Sequence, residues 1–252
     1  MRLTERVYLV GSGASGFALT DRYDCHVYLL DGGDELALID VGAGMGVAGI
    51  MANVRADGFD PASIRHIILT HAHGDHGGGT ARVRAALGNR AKVYLHTDSA
   101  DFLREGNEEA ISLDVAKEFG IYPPDYRFEP CPVDIELEEG QSLQVGDLEL
   151  EVVETPGHCI GHTSFVMRHK DRTFFFGGDL VFFGGRILLQ NIYDCDLQAY
   201  IASLVKGADL GVDVFLPGHG GLTLDQGQRH IDDAVRNLKE GLVPLNLTYS
   251  RR

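Results

Sequence analysis

The chain has no apolar run of about 18 residues, the length a helix needs to cross a bilayer, so no transmembrane helix is expected. Its first residues, Met1-Arg2-Leu3-Thr4-Glu5-Arg6, lack the long apolar stretch of a secretory signal, and the expected compartment is the cytoplasm. Cysteine is scarce: Cys25, Cys131, Cys159 and Cys195 form no CxxC pair, which excludes a zinc-finger or disulfide framework. Positive charge is also short, with 22 Lys and Arg against 37 Asp and Glu, a formal net charge of −15. That balance argues against nucleic acid or an anionic membrane as the main partner. Low-complexity segments, short repeats and internal linkers are absent, so residues 1–252 read as one domain. With 44% hydrophobic and 23% charged residues, the chain has the composition and length to bury a full core.

What is present is ligand chemistry. His71-Ala72-His73-Gly74-Asp75-His76 places four potential metal ligands within six residues, directly after the apolar run Ile67-Ile68-Leu69. Imidazole and carboxylate suit borderline divalent metals such as zinc. In an extended segment His71 and His73 share parity and can face one ion. Gly77-Gly78-Gly79 then lets the chain turn sharply before a helix. Three further segments repeat one pattern, a strand followed by glycine or Pro-Gly and then a ligand-type residue. They are Thr155-Pro156-Gly157-His158, Phe176-Gly177-Gly178-Asp179 and Leu216-Pro217-Gly218-His219. Each alone is a weak signal, because a lone His or Asp after a turn is usually a cap or a surface residue. Together with the cluster they make a strong one.

Periodicity places strands near Val7 to Val10, His26 to Leu30, Glu35 to Asp40, Ile64 to Leu69 and Lys92 to His96. In the second half they fall near Val133 to Leu137, Ser142 to Val145, Leu148 to Val153, Thr163 to Arg168, Thr173 to Phe176 and Val212 to Leu216. Helices are expected over Val47 to Asp57, Gly78 to Leu87, Asp98 to Gly120, Leu197 to Val205 with Asp196 as cap, and Asp225 to Lys239. The Pro-rich stretch Tyr122-Pro123-Pro124-Asp125 ends the third of these. Strand blocks closed by helices in both halves fit two sheets flanked by helices. Gly11-Ser12-Gly13-Ala14-Ser15-Gly16 has the start of a dinucleotide loop but no helical pattern or partner acid behind it, and is read as a turn near the mouth of the site.

HAHGDH, TPGH, GGD and PGHG in this order resemble the metallo-β-lactamase fold superfamily, from about Val7 to about Leu238. The resemblance implies an α+β fold, an αββα sandwich of two mixed sheets with metals at one edge. It implies two divalent metal ions, with zinc expected and iron or manganese as alternatives. His71, His73 and His158 would bind the first, Asp75, His76 and His219 the second, and Asp179 would bridge both. The family's early aspartate matches Asp40, which either orients ligands from behind the cluster or caps the turn before Gly42.

Two cations about 3.5–4 Å apart lower the pKa of a bridging water and polarise a carbonyl or phosphoryl oxygen. The expected reaction is therefore hydrolysis of a small ester, lactone or thioester by a metal-bridging hydroxide. Asp75 would orient the hydroxide and carry its proton. No serine nucleophile is required.

Branch by branch, β-lactamases of this superfamily typically lack the bridging aspartate that Asp179 supplies here, and are exported. Acyl-homoserine lactonases commonly place a tyrosine three residues after that aspartate, where this chain has Phe182; Tyr193 is the candidate replacement. Hydroxyacylglutathione hydrolases resemble the stretch from Gly177 to Arg186, but usually add a basic C-terminal helical segment that is not seen here. Phe182, Phe183, Arg186 and Tyr193 are the substrate-binding candidates, and Cys159, next to His158, is a thiol to place. The alternative activity is a mononuclear iron persulfide dioxygenase on the same fold. Those enzymes tend to lose the second histidine of TPGHxxGH, which this chain keeps as His162. A small-molecule substrate is expected, with no nucleic-acid or membrane partner, and the sequence is silent on oligomeric state.

Overall fold

The computed structural model describes residues 1–247. Short apolar runs separated by glycine and acidic turns fold into two sheets. The first contains β1 (Val7–Gly11), β2 (Val27–Asp31), β3 (Leu36–Ile39), β4 (Ile64–Ile68), β5 (Lys92–His96) and β6 (Ile135–Leu137), in that spatial order. Pairing is antiparallel from β1 to β3 and parallel from β3 to β6. The second contains β7 (Ser142–Val145), β8 (Leu148–Glu154), β9 (Thr163–His169), β10 (Arg172–Gly178) and β11 (Val214–Pro217), ordered β11-β10-β9-β8-β7. Only the β10–β11 pair in it is parallel.

Strand alternation explains the layers. Leu9, Leu30, Ile39 and Ile68 on the inner face of the first sheet pack against Val152, Phe165, Met167 and Phe176 of the second. The outer face of the first sheet, with Leu29, Leu38 and Ile67, is covered by α1 (Val47–Ala56), α2 (Thr80–Ala86) and α3 (Thr97–Glu105), through Ile50, Val54, Val83 and Leu103. The outer face of the second, with Val166, Phe175 and Phe215, is covered by α5 (Leu197–Gly207) and α6 (Gln228–Lys239), through Tyr200, Leu204, Ile231 and Val235. The architecture is an αββα sandwich. Asp196 caps α5 as expected, accepting from the Gln198 and Ala199 N–H groups.

One expected helix is not continuous. The segment from Asp98 to Gly120 divides into α3 and α4 (Leu113–Glu118). Gly106 ends α3 at φ +65° and Ser112 turns back at φ +53°, left-handed conformations that no helix continues through. The break carries the chain from 106 to 112 out over the edge of the sandwich, with consequences for the site. No helix among the described residues is long and apolar enough to cross a membrane.

Candidate metal centre and cavity

The ligand-type residues follow strand ends that open on one edge of the sandwich. After β4 the chain turns tightly: the His76 and Gly77 N–H groups both donate to the His73 carbonyl, at 3.0 and 2.8 Å. That turn bunches His71, His73, Asp75 and His76. His158 follows β8, Asp179 follows β10 and His219 follows β11. Gly218 is required by this crowding, because a Cβ there would sit 2.3 Å from Asp179 Oδ1 and 2.6 Å from His76 Cε1.

All seven side chains named from the sequence come together. His73 Nδ1 lies 3.1 Å from His158 Nε2, and His76 Nε2 lies 3.2 Å from His219 Nε2. Asp179 stands between the pairs, with Oδ1 3.3 Å from His76 Nε2 and Oδ2 3.6 Å from both His158 Nε2 and His219 Nε2. Asp75 Oδ2 is 3.0 Å from His219 Nε2. The His71 ring packs against those of His73, His76 and His158.

Most of the inward nitrogens are freed by a partner on the outward side. Thr70 Oγ1 meets His71 Nδ1 at 3.0 Å and itself donates to Asp40 Oδ2 at 2.8 Å. Asp40 Oδ2 also meets His76 Nδ1 at 2.8 Å, while its Oδ1 accepts from the Thr70 N–H. Asp40 thus contacts the outward sides of both Thr70 and His76. His73 Nε2 is held by Asp194 Oδ2 at 2.8 Å, and His158 Nδ1 by the Leu188 carbonyl at 3.2 Å. His162 is no part of the inward set: it meets Thr155 Oγ1 and accepts from the Asp179 N–H, fixing the backbone that presents Asp179.

Two imidazole nitrogens facing each other without a carbonyl or hydroxyl between them gain little unless a cation joins them. The buried His71 Nε2 and Asp179 Oδ1 have no hydrogen-bond partner among the described residues. An orphaned buried nitrogen and carboxylate oxygen each cost more than about 1 kcal/mol. Three groupings, His71–His73–His158 with Cys159, His71–His76–Asp179 and Asp75–His76–His219, each bring their ligand atoms within 4.8 Å of one another. The facing imidazole nitrogens and carboxylate oxygens fit a divalent cation.

Electrostatics differ across the cluster. Burial pulls His71 well below the usual imidazole range and lowers His158 to about 4. Burial opposes charge on His76 and His219 as well, but Cys25 with Asp179, Asp75 and Asp40 around His76, and Asp179 with Asp75 beside His219, outweigh it and raise both. Burial would raise Asp75 and Asp179, yet the facing histidines hold both carboxyls well below their usual range. The Cys25 thiol is pushed up to about 12 by burial, and the Cys159 thiol, beside His71, His73 and His158, is also raised well above its usual value.

A cavity of about 580 Å³ opens over the cluster. His73, Asp75, His158, Asp179 and His219 line its floor, and Ile111, Leu113, Val115, Ala116, Phe119 and Ile121 line one wall. Ser15 of the glycine-rich turn is also in the lining, so that turn does reach the site. The expected substrate-binding residues do not. Phe182 is fully buried beneath His219, Phe183 packs on His230, and Tyr193 is 76% exposed. The Arg186 guanidinium turns to the Leu247 carbonyl. None of the four lines the cavity. The tight bridge between Phe182 and Arg186, closed by Gly184 and Gly185 at positive φ, packs Phe183 and Gly185 against α6, at His230, Asp233 and Ala234.

Three features escaped the sequence reading. Asp194, in a loop with no strand–glycine pattern, holds His73. Tyr122, read only as part of a helix break, lines the cavity beside Asp75, and burial together with that carboxylate raises its hydroxyl well above the usual range. Most of the 111–121 wall falls inside the helix expected over Asp98 to Gly120.

Comparison with known proteins agrees with this geometry. The sequence model of the metallo-beta-lactamase superfamily matches residues 20–219, most of the chain and every ligand-type residue described above. The chain belongs to the metallo-beta-lactamase superfamily. Among solved structures, a subclass B3 metallo-beta-lactamase of Bradyrhizobium japonicum superposes with a TM-score of 0.73, covering 96% of this chain and 90% of that one. At 23% identity the likeness is one of fold. Among curated relatives, a thioesterase of Emericella nidulans is 28% identical over 218 residues, which is 85% of this chain and 52% of that protein. An acyl-coenzyme A thioesterase of Gallus gallus is 30% identical over 211 residues, covering 77% of this chain and 72% of that one. This chain spans about half the length of the Emericella thioesterase. Fold and family imply divalent metal binding at the His and Asp cluster.

Proposed function

We propose that this chain is a dinuclear metal-dependent hydrolase acting on a small thioester or ester, a lactone included. The observation that carries the reading is the convergence of seven His and Asp side chains, with Asp179 between two nitrogen clusters, on the floor of an apolar cavity. Thioesterases among the relatives support the substrate class.

His71, His73 and His158 would hold one cation, Asp75, His76 and His219 the other, and Asp179 both. Zinc fits this nitrogen and oxygen set, and iron or manganese could replace it. Bound there, the cations would lower the pKa of a water and polarise the substrate carbonyl. The chain's own residues do the rest. Asp75, a quarter exposed to the cavity, is placed to accept a proton from the attacking water and pass it to the departing sulfur or oxygen. Water oxygen adds to the carbonyl carbon, the C–S or C–O bond breaks, and a carboxylic acid and a thiol or alcohol leave. Tyr122 beside Asp75 steers that carboxylate. Asp40, Thr70, Asp194 and the Leu188 carbonyl fix which nitrogen His71, His73, His76 and His158 present.

The test joins metal analysis to a panel of thioesters, lactones, phosphodiesters and β-lactams. Two metal ions per chain, loss of thioester hydrolysis on chelation and its return with zinc or manganese are expected. Hydrolysis in labelled water should place one solvent oxygen in the acid. Activity that survives complete metal removal overturns the reading. So does a single iron with oxygen uptake on persulfides, which would install the dioxygenase instead.

A further inference from the structure

The cavity wall says which acyl group the site takes. Resting on the hydrolase reading above, we infer that the substrate's acyl part is a neutral, extended hydrocarbon chain lying along the 111–121 segment.

Ile111, Leu113, Val115, Ala116, Phe119 and Ile121 line the same cavity as Asp75, Asp179 and His219, so one molecule can touch the wall and the floor together. The inner residues of this wall, Ile111 and Leu113, are buried, whereas Phe119 is 79% and Ile121 53% exposed at its outer end. Large apolar side chains left uncovered at the rim of an apolar cavity gain from a ligand that covers them. The lining also lacks the groups that would bind an anion. Outside the histidines and carboxylates of the floor, its polar residues include Ser15, Ser112, Gln190 and Asn191, all uncharged, and no described lining residue is Lys or Arg. Away from the floor, the described lining offers no positive charge to an acyl chain that ends in a carboxylate or phosphate. A charged leaving group has to extend out of the cavity mouth.

The wall is fixed relative to the floor. Ser112 Oγ donates to Asp194 Oδ1 at 2.7 Å, and Asp194 Oδ2 holds His73. At the base of the segment Glu108 accepts from the Phe128 N–H and from Lys117. A chain bound on this wall therefore has a set distance to the reacting carbonyl, which makes length a determinant of rate.

The experiment is a ladder of straight-chain acyl thioesters of N-acetylcysteamine, a small uncharged thiol, from two to twelve carbons. kcat/KM should rise by up to about fourfold per methylene until the cavity is filled. A succinyl thioester should fall at least tenfold below the butyryl one. Ala116→Phe should move the optimum to shorter chains, and Phe119→Ala, at an exposed position that does not threaten folding, should flatten the long end of the ladder. In parallel, calorimetry follows binding of non-hydrolysable straight-chain methyl ketones of the same lengths. Hydrolysis with a flat ladder, or preference for the succinyl thioester, overturns the acyl-chain inference and leaves the hydrolase reading standing. Ketone affinity that grows with length, without hydrolysis of any thioester, supports the acyl site and sinks the hydrolase reading. Absence of both overturns the two together.

Discussion

The two halves of the molecule furnish the metal cluster in opposite ways. The first sheet delivers His71, His73, Asp75 and His76 from one loop in a single pass after β4. The second delivers His158, Asp179 and His219 one at a time, after β8, β10 and β11. The loop is held locally by turn hydrogen bonds around His73 and by the Asp40–Thr70 pair behind it. Asp179 has one such turn, the Leu180 N–H to the Gly177 carbonyl at 3.1 Å, but the singletons lean mainly on contacts between strands. Their places depend on the order and register of a sheet, and on backbone contacts such as Tyr200 donating from its hydroxyl to the Asp179 carbonyl at 2.6 Å. The comparison teaches that the loop is a unit whose members back one another, while each singleton is exposed to any shift of its strand.

The severest test of that contrast is Asp179→Asn. Asn keeps the shape but removes the charge between the nitrogen clusters, so bound metal should fall and activity should drop by roughly 10²–10³-fold, comparable to loss of a preorganised electrostatic contact. Metal analysis beside kinetics checks it, and full metal content with full activity would break the bridging assignment. Gly218→Ala comes next. Its Cβ collides with Asp179 and His76 at once, joining singleton and loop, and a displacement near 1 Å should cost about 100-fold in kcat/KM. Circular dichroism should show the fold retained; an unchanged rate would mean that the two groups tolerate more slack than their packing suggests.

Asp40→Ala and Asp194→Asn sharpen the comparison from behind the ligands. Each removes an outward partner of a loop histidine, and each should cost about 10–100-fold in metal affinity. If the loop is a unit, Asp40→Ala, which frees both His76 and Thr70, should be the costlier, as metal-buffer titration can decide.

The smallest effect concerns Glu108→Gln at the base of the cavity wall. Burial would raise the Glu108 carboxyl, but the Lys117 ammonium and the Phe128 N–H outweigh it and hold it below its usual value. A depressed folded pKa contributes stability that is present above the unfolded value and lost as pH falls through the folded one. Wild type should therefore exceed Glu108→Gln by about 1 kcal/mol near neutrality, with the gap closing below about pH 4.5. Urea midpoints across that range measure it, and a gap independent of pH would remove the carboxylate from the account.

The strand ends and the ligand types were legible because both are local. Period-two apolar runs mark a strand wherever it packs, and a histidine brings its nitrogens to any fold. The cavity was not. Phe182 and Phe183 stand three and four residues after Asp179 and so are natural substrate-binding candidates, yet the positive-φ glycines after them fold that segment out of the cavity lining. The actual wall hid in the stretch from Asp98 to Gly120, whose helical pattern conceals a break made by left-handed backbone at Gly106 and Ser112.

The sequence by itself determined the layered class of the fold and the seven side chains that meet at its edge. Hydrophobic period, glycine turns and the chemistry of imidazole and carboxylate are properties of short segments. Tertiary structure alone decided which nitrogen each histidine turns inward, that Asp194 holds His73 across 121 residues of chain, and that a wall from 111 to 121 stands over the floor. Those are contacts between segments distant in sequence, and their geometry exists only once two sheets have packed and fixed the loops between them.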